Sequence, residues 1–90
     1  MNYDKHFLPK DTKHAKREHF CIQHLIGLVV KEIDRVDFVS ARYRLNDALN
    51  SVGELNRMIT NKYREDKFQD LIDEMTQRGI DVQVVRRKIL

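Results

Sequence analysis

Four histidines, His6, His14, His19 and His24, fall in the first quarter of this 90-residue chain, its one grouping of chemistry-bearing side chains. Cys21 and His24 are one helical turn apart, and His14 and Glu18 have the four-residue spacing that puts two ligands on one helical face. No Cys-x-x-Cys or second spaced histidine pair completes a ligand set, so a transition-metal site would have to be shared between two copies. Nucleophilic catalysis by Cys21 needs a lowered pKa and an aligned base. The residue lies instead in the apolar run Phe20 to Val30, where a thiolate is disfavoured. Asp70 with Glu74, and Asp73 with Gln77, have the spacing of a solvated helix face, and paired carboxylates do acid–base work only inside a cleft. Gly27, Gly53 and Gly79 are too scattered for a phosphate-binding loop. The expectation is a protein without catalytic residues, metal, cofactor or small-molecule substrate.

Cations offer a second kind of chemistry. Residues 1–19 carry five Lys/Arg against three Asp/Glu, residues 20–80 nine against ten, and residues 81–90 three against one, so a neutral body has basic ends. Lys10, Lys13, Lys16 and Arg17 at one end, and Arg86, Arg87 and Lys88 at the other, have the character of sequence-nonspecific phosphate contacts. Tyr3, Phe7 and Tyr43 could add stacking on unpaired bases. The plain alternative is a solubilising fringe, since acidic residues nearly balance the basic ones. A base-reading helix is not expected from residues 66–78, where Asp70, Asp73 and Glu74 repel phosphate.

The elements that must position these groups are helical. Residues 1–11, containing Pro9, lack a period and form an arm able to dock by its aromatic groups. Asp11 or Thr12 can cap a helix spanning about 12–36, with Ile22, Leu25, Ile26, Val29, Ile33 and Val36 as its main stripe. Leu25 to Val30 could alternatively be a strand, being rich in β-branched residues. A second helix over about 40–63, entered at Asp37 or Ser40, carries Leu45, Ala48, Leu49, Val52, Leu55, Ile59 and Tyr63 at three- and four-residue intervals. The short connection between them predicts an antiparallel hairpin. Asp66 can start a third helix over about 66–78, stopped by Gly79, although one rod from Ser40 to Arg78 is equally free of breakers. The tail alternates as a strand at Ile80, Val82 and Val84, yet Asp81 as a cap favours a helix over about 81–89.

The fold expected is therefore all-α: an arm (1–11) and one helical domain (12–90), built as a small bundle. Charged residues make up 34% of the chain and hydrophobic ones 41%, a soluble helical composition. A lone cysteine and an apolar run too short to cross a bilayer point to the cytoplasm and away from membranes. Phe20 to Val30 is apolar around most of its circumference, which one neighbouring helix cannot cover. Phe20, Cys21, Leu25, Leu28, Val29 and Val30 thus become the candidate surface for a second copy, with the Leu45 row closing the hairpin or adding to that surface. The function expected is regulatory or adaptor binding of another macromolecule, as a homodimer. Nucleic acid binding by the basic ends is the alternative.

Overall fold

The computed structural model describes residues 1–79, which form three helices, α1 (Tyr3–His6), α2 (Thr12–Asp34) and α3 (Phe38–Gln77), with no strand among the described residues. The apolar run at Leu25 to Val30 is helical. The tail expected to be helical over 81–89 lies outside the described residues.

The arm contains the single turn of α1 and is anchored by Phe7, whose side chain is 1% exposed and packs with Ala15 of α2 and Met58 of α3. Tyr3 and Leu55 close around this cluster. The Tyr3 hydroxyl donates to His19 Nδ1, tying the arm to α2 a second time. Asp11 occupies the N-cap position of α2 and its carbonyl accepts the first helical bond, from Ala15 N–H at 2.8 Å.

α2 ends at Asp34, two residues short of the expected boundary, because the chain turns through a Schellman motif. Val36 N–H donates to the Ile33 carbonyl (2.9 Å) and Asp37 N–H to the Glu32 carbonyl (2.8 Å). This motif requires a left-handed residue at its centre, a place suited to glycine. Here Val36 fills it, with φ +62° and a branched Cβ. Asp37 then caps α3, its carboxylate accepting from Ser40 N–H at 3.1 Å. A stop and a start thus share three residues, and α3 returns antiparallel to α2.

α3 is one unbroken helix of 40 residues, about 60 Å long, and this corrects the expected division into 40–63 and 66–78. Asp66 is no cap: inside the rod it accepts from Lys62 Nζ at 2.8 Å, one turn back. Between Gly53 and Gly79 there is neither glycine nor proline, so nothing interrupts the helix. Gly79 stops it as expected, with φ +77° and its N–H bonded to the Thr76 carbonyl at 3.0 Å. The 23-residue α2 spans about 34 Å, so α3 runs on past Met58 through residues 59–77.

The seam between the helices is built largely of small side chains. Ala15, Leu25 and Val29 of α2 meet Ala41, Ala48, Ser51 and Met58 of α3, and all of them are buried. Within this seam Arg44 Nε donates to Glu32 Oε1 at 3.1 Å, while Glu32 Oε2, equally buried, has no hydrogen-bond partner among the described residues. Gly27 faces open space, so it marks no helix crossing.

Candidate functional site

The expected row on α3 is split by this seam. Ala48 and Leu55 turn toward α2 and the arm, but Leu45, Leu49, Val52, Ile59 and Tyr63 stand exposed. At 100° per residue, Phe38, Leu45, Leu49 and Val52 lie on average about 80° round the helix from the centre of Ala41, Ala48 and Ser51, with Ile59 about 30° from it at the margin of the seam. On α2 the exposed residues Ile26, Val30 and Ile33 are rotated by a similar angle, in the same sense, from Leu25, Val29 and Glu32. Two antiparallel helices facing each other carry such equally rotated rows to the same side. One broad side of the hairpin is therefore apolar along both helices and open to solvent. Single exposed apolar residues are ordinary on a protein surface; an apolar row running along two adjacent helices is not.

The residues singled out from sequence as a partner surface do not sit together. Leu25 and Val29 are buried in the seam and cannot reach a second copy. Val30 belongs to the open apolar side. Cys21 and the half-buried Leu28 occupy the opposite flank of the seam, and Phe20, 68% exposed, projects from the outer edge of α2. Sequence reading assigned Ile26 and Ile33 to the intramolecular stripe of α2, whereas the structure exposes them. The signal that separates the rows is side-chain size: small Ala41, Ala48 and Ser51 let the helices approach closely, leaving the larger neighbouring residues outside.

Of the basic groups, Lys10, Lys13, Lys16 and Arg17 are all exposed, with Lys16 Nζ lying 5.5 Å from the centre of the Tyr3 ring. Arg86, Arg87 and Lys88 lie outside the described residues. Phe7 is unavailable for base stacking because it anchors the arm, while Tyr43 remains exposed.

Among the described residues one histidine, His14, stands within reach of acids. His14 Nε2 donates to Glu18 at 3.2 Å and stands 3.9 Å from Glu54. Arg57 bonds Glu54 at 2.9 Å, and that hydrogen bond, reinforced by the guanidinium charge, lowers the Glu54 pKa and raises that of Arg57. Hydrogen bonds from Ser40, side chain first and backbone second, lower the Asp37 pKa. Among the described residues no group of three or more His, Cys, Asp or Glu is placed to hold a metal ion, and no helix is long and apolar enough to cross a membrane. A hollow beside Val39, Arg42, Tyr43 and Asn46 has no carboxylate, histidine or cysteine in its lining. The arrangement offers surfaces for contact: a two-helix apolar side and a basic outer edge. Comparison with family models, with curated proteins and with solved structures found no match for this chain.

Proposed function

We propose that this protein is a non-enzymatic, regulatory or adaptor-type interaction module that works as a homodimer, two hairpins closing face to face into a four-helix bundle. The observation that carries this reading is the open apolar side formed jointly by Ile26, Val30 and Ile33 of α2 and Phe38, Leu45, Leu49, Val52 and Ile59 of α3. Their exposed fractions add to about four whole large side chains, on the order of 600 Å². A standard interface buries about 800 Å² per partner, and the exposed Arg42 and Asn46 beside the row, with Asn56 inside it, add polar area toward that figure.

A second copy is the occupant this surface fits best. The side is long, straight and shaped by two parallel ridges, the form that another such hairpin complements in a four-helix bundle. The seam inside each copy is thin, so an isolated hairpin is poorly stabilised, and pairing supplies the missing burial. An exposed free thiol at Cys21 suits a reducing compartment, and we assign the module to the cytoplasm.

Light scattering on a sizing column tests the reading. A mass of twice 10.8 kDa at micromolar concentration is expected. A single-chain mass that persists at a hundredfold higher concentration refutes it.

A further inference from the structure

The outer edge of α2, which faces away from both the seam and the apolar side, carries a row of basic residues interrupted by one aromatic. Lys13, Arg17, Phe20, His24 and Lys31 recur at three-, four- and seven-residue intervals along it, flanked by Lys16, over about 27 Å. All are exposed. The internal carboxylates of the same helix point the other way: Glu18 bonds His14, and Glu32 is buried against Arg44. From Lys13 to Lys31 this edge therefore presents positive charge with no acid on it. None of Lys13, Lys16, Arg17 or Lys31 forms an ion pair among the described residues. Opposite charges one turn apart on a helix can satisfy one another; here Glu18 and Glu32 lie on the other side, and the nearest acid on this one is Asp34, exposed one turn beyond Lys31.

We propose that this edge binds the backbone of single-stranded nucleic acid, with Lys10 and the α2 cations on the phosphates and Phe20 stacking on an unpaired base. This gives the interaction module its partner and in that sense rests on the function proposed above. Three features favour this ligand. The charges form a line, as successive phosphates do, and not a compact cluster. Phe20 sits within the line, 68% exposed and with no packing role in the hairpin core, where a stacking platform is useful. A membrane surface would require a row of apolar residues alongside the cations, but Phe20 stands alone there and the apolar side of α2 is turned well over 90° away, so one contact cannot engage both. Pairing through the apolar side leaves the edge exposed on each copy.

The test is fluorescence anisotropy with a labelled oligothymidylate, with acidic phospholipid vesicles, duplex DNA and polyglutamate as competitors. Five cations on phosphates predict a log–log salt slope of about −3.5, hence a loss of roughly a hundredfold between 50 and 200 mM salt. Arg17→Glu with Lys31→Glu abolishes binding while leaving the oligomeric mass and helix content unchanged. Phe20→Ala costs about tenfold without altering the salt slope, since it removes stacking and no charge. Failure to bind at low salt, equal affinity of the charge-reversed variant, or equal competition by vesicles, duplex or polyglutamate each overturns the proposal. Binding by a chain that scatters as a monomer would uphold the strip and reject the homodimer; a dimer that ignores oligothymidylate would do the reverse.

Discussion

Leu49→Asp is the sharpest probe of the open side. In a single hairpin Leu49 is 68% exposed on α3, so replacing it changes monomer stability by no more than about 0.5 kcal/mol, as for other surface sites. In a face-to-face pair the same side chain is covered. Burying a whole leucine side chain contributes about 1.5–3 kcal/mol, and two thirds of that is roughly 1–2 kcal/mol per copy. Symmetry counts the loss twice, giving about 2–4 kcal/mol before the cost of desolvating a carboxylate. That corresponds to a dimer dissociation constant raised by roughly 30- to 1,000-fold. Sedimentation equilibrium over a range of loading concentrations measures it directly. A hairpin stabilised by pairing should also show thermal melts by circular dichroism that fall for Leu49→Asp and depend on concentration for the parent chain. An unchanged dissociation constant, or melts independent of concentration in both proteins, would refute the reasoning. Asn50→Asp, at an exposed site of the same helix turned about 140° from the centre of the apolar row, serves as the control and leaves assembly intact.

Three further outcomes follow from the hairpin. Val36→Gly relieves a left-handed β-branched residue worth roughly 1–2 kcal/mol, offset in part by the greater freedom of glycine in the unfolded chain, for a net stabilisation of about 0.5–1 kcal/mol and a melting temperature a few degrees higher. An unchanged or lowered melting temperature contradicts the Schellman account. Arg44→Ala strands the 9%-exposed Glu32 carboxylate and costs about 1–2 kcal/mol, less than a wholly buried pair because Arg44 is partly solvated. Replacing both residues by Leu restores the loss, and urea titration reads the difference. Asp37 and Glu54 both have folded pKa values below their ordinary 3.8 and 4.5, so their contribution is complete above those values and fades as pH falls through the lower folded ones. Melts of Asp37→Asn should therefore show a flatter decline below about pH 4 than the parent, and an identical acid limb contradicts the cap.

The sequence and the coordinates agree where a single residue carries a local signal. Asp37 as a cap, Gly79 as a stop and the antiparallel hairpin all follow from side-chain hydrogen bonding and backbone freedom within a few residues. Disagreement begins where a residue type has two uses. Asp66 resembles a cap because aspartate caps helices, yet with Lys62 one turn before it the same carboxylate supports a continuous rod. The seam was harder still to read, because α3 has apolar residues over nearly half its circumference. Choosing which row meets α2 depends on helix separation, and the small Ala41, Ala48 and Ser51 win by allowing close approach. Glu32 follows the phase of Leu25 and Val29, and Arg44 that of Ala41 and Ala48, so their pairing was encoded in the sequence. Only the fold brings residues twelve apart into contact. The basic edge shows the same limit: Lys13, Arg17, His24 and Lys31 are scattered along the chain and become one line when the helix winds.

The thin seam has a bearing on how long the protein lasts. Two helices meeting largely through Ala15, Ala41, Ala48 and Ser51, with Leu25, Val29 and Met58 as the larger members, bury less than a leucine-filled seam would, so for a chain that pairs on its open side dilution would act as a denaturant. For such a chain, scarce copies would spend time unravelled and within reach of proteases, while plentiful ones would shelter each other. Dosage would then set lifetime.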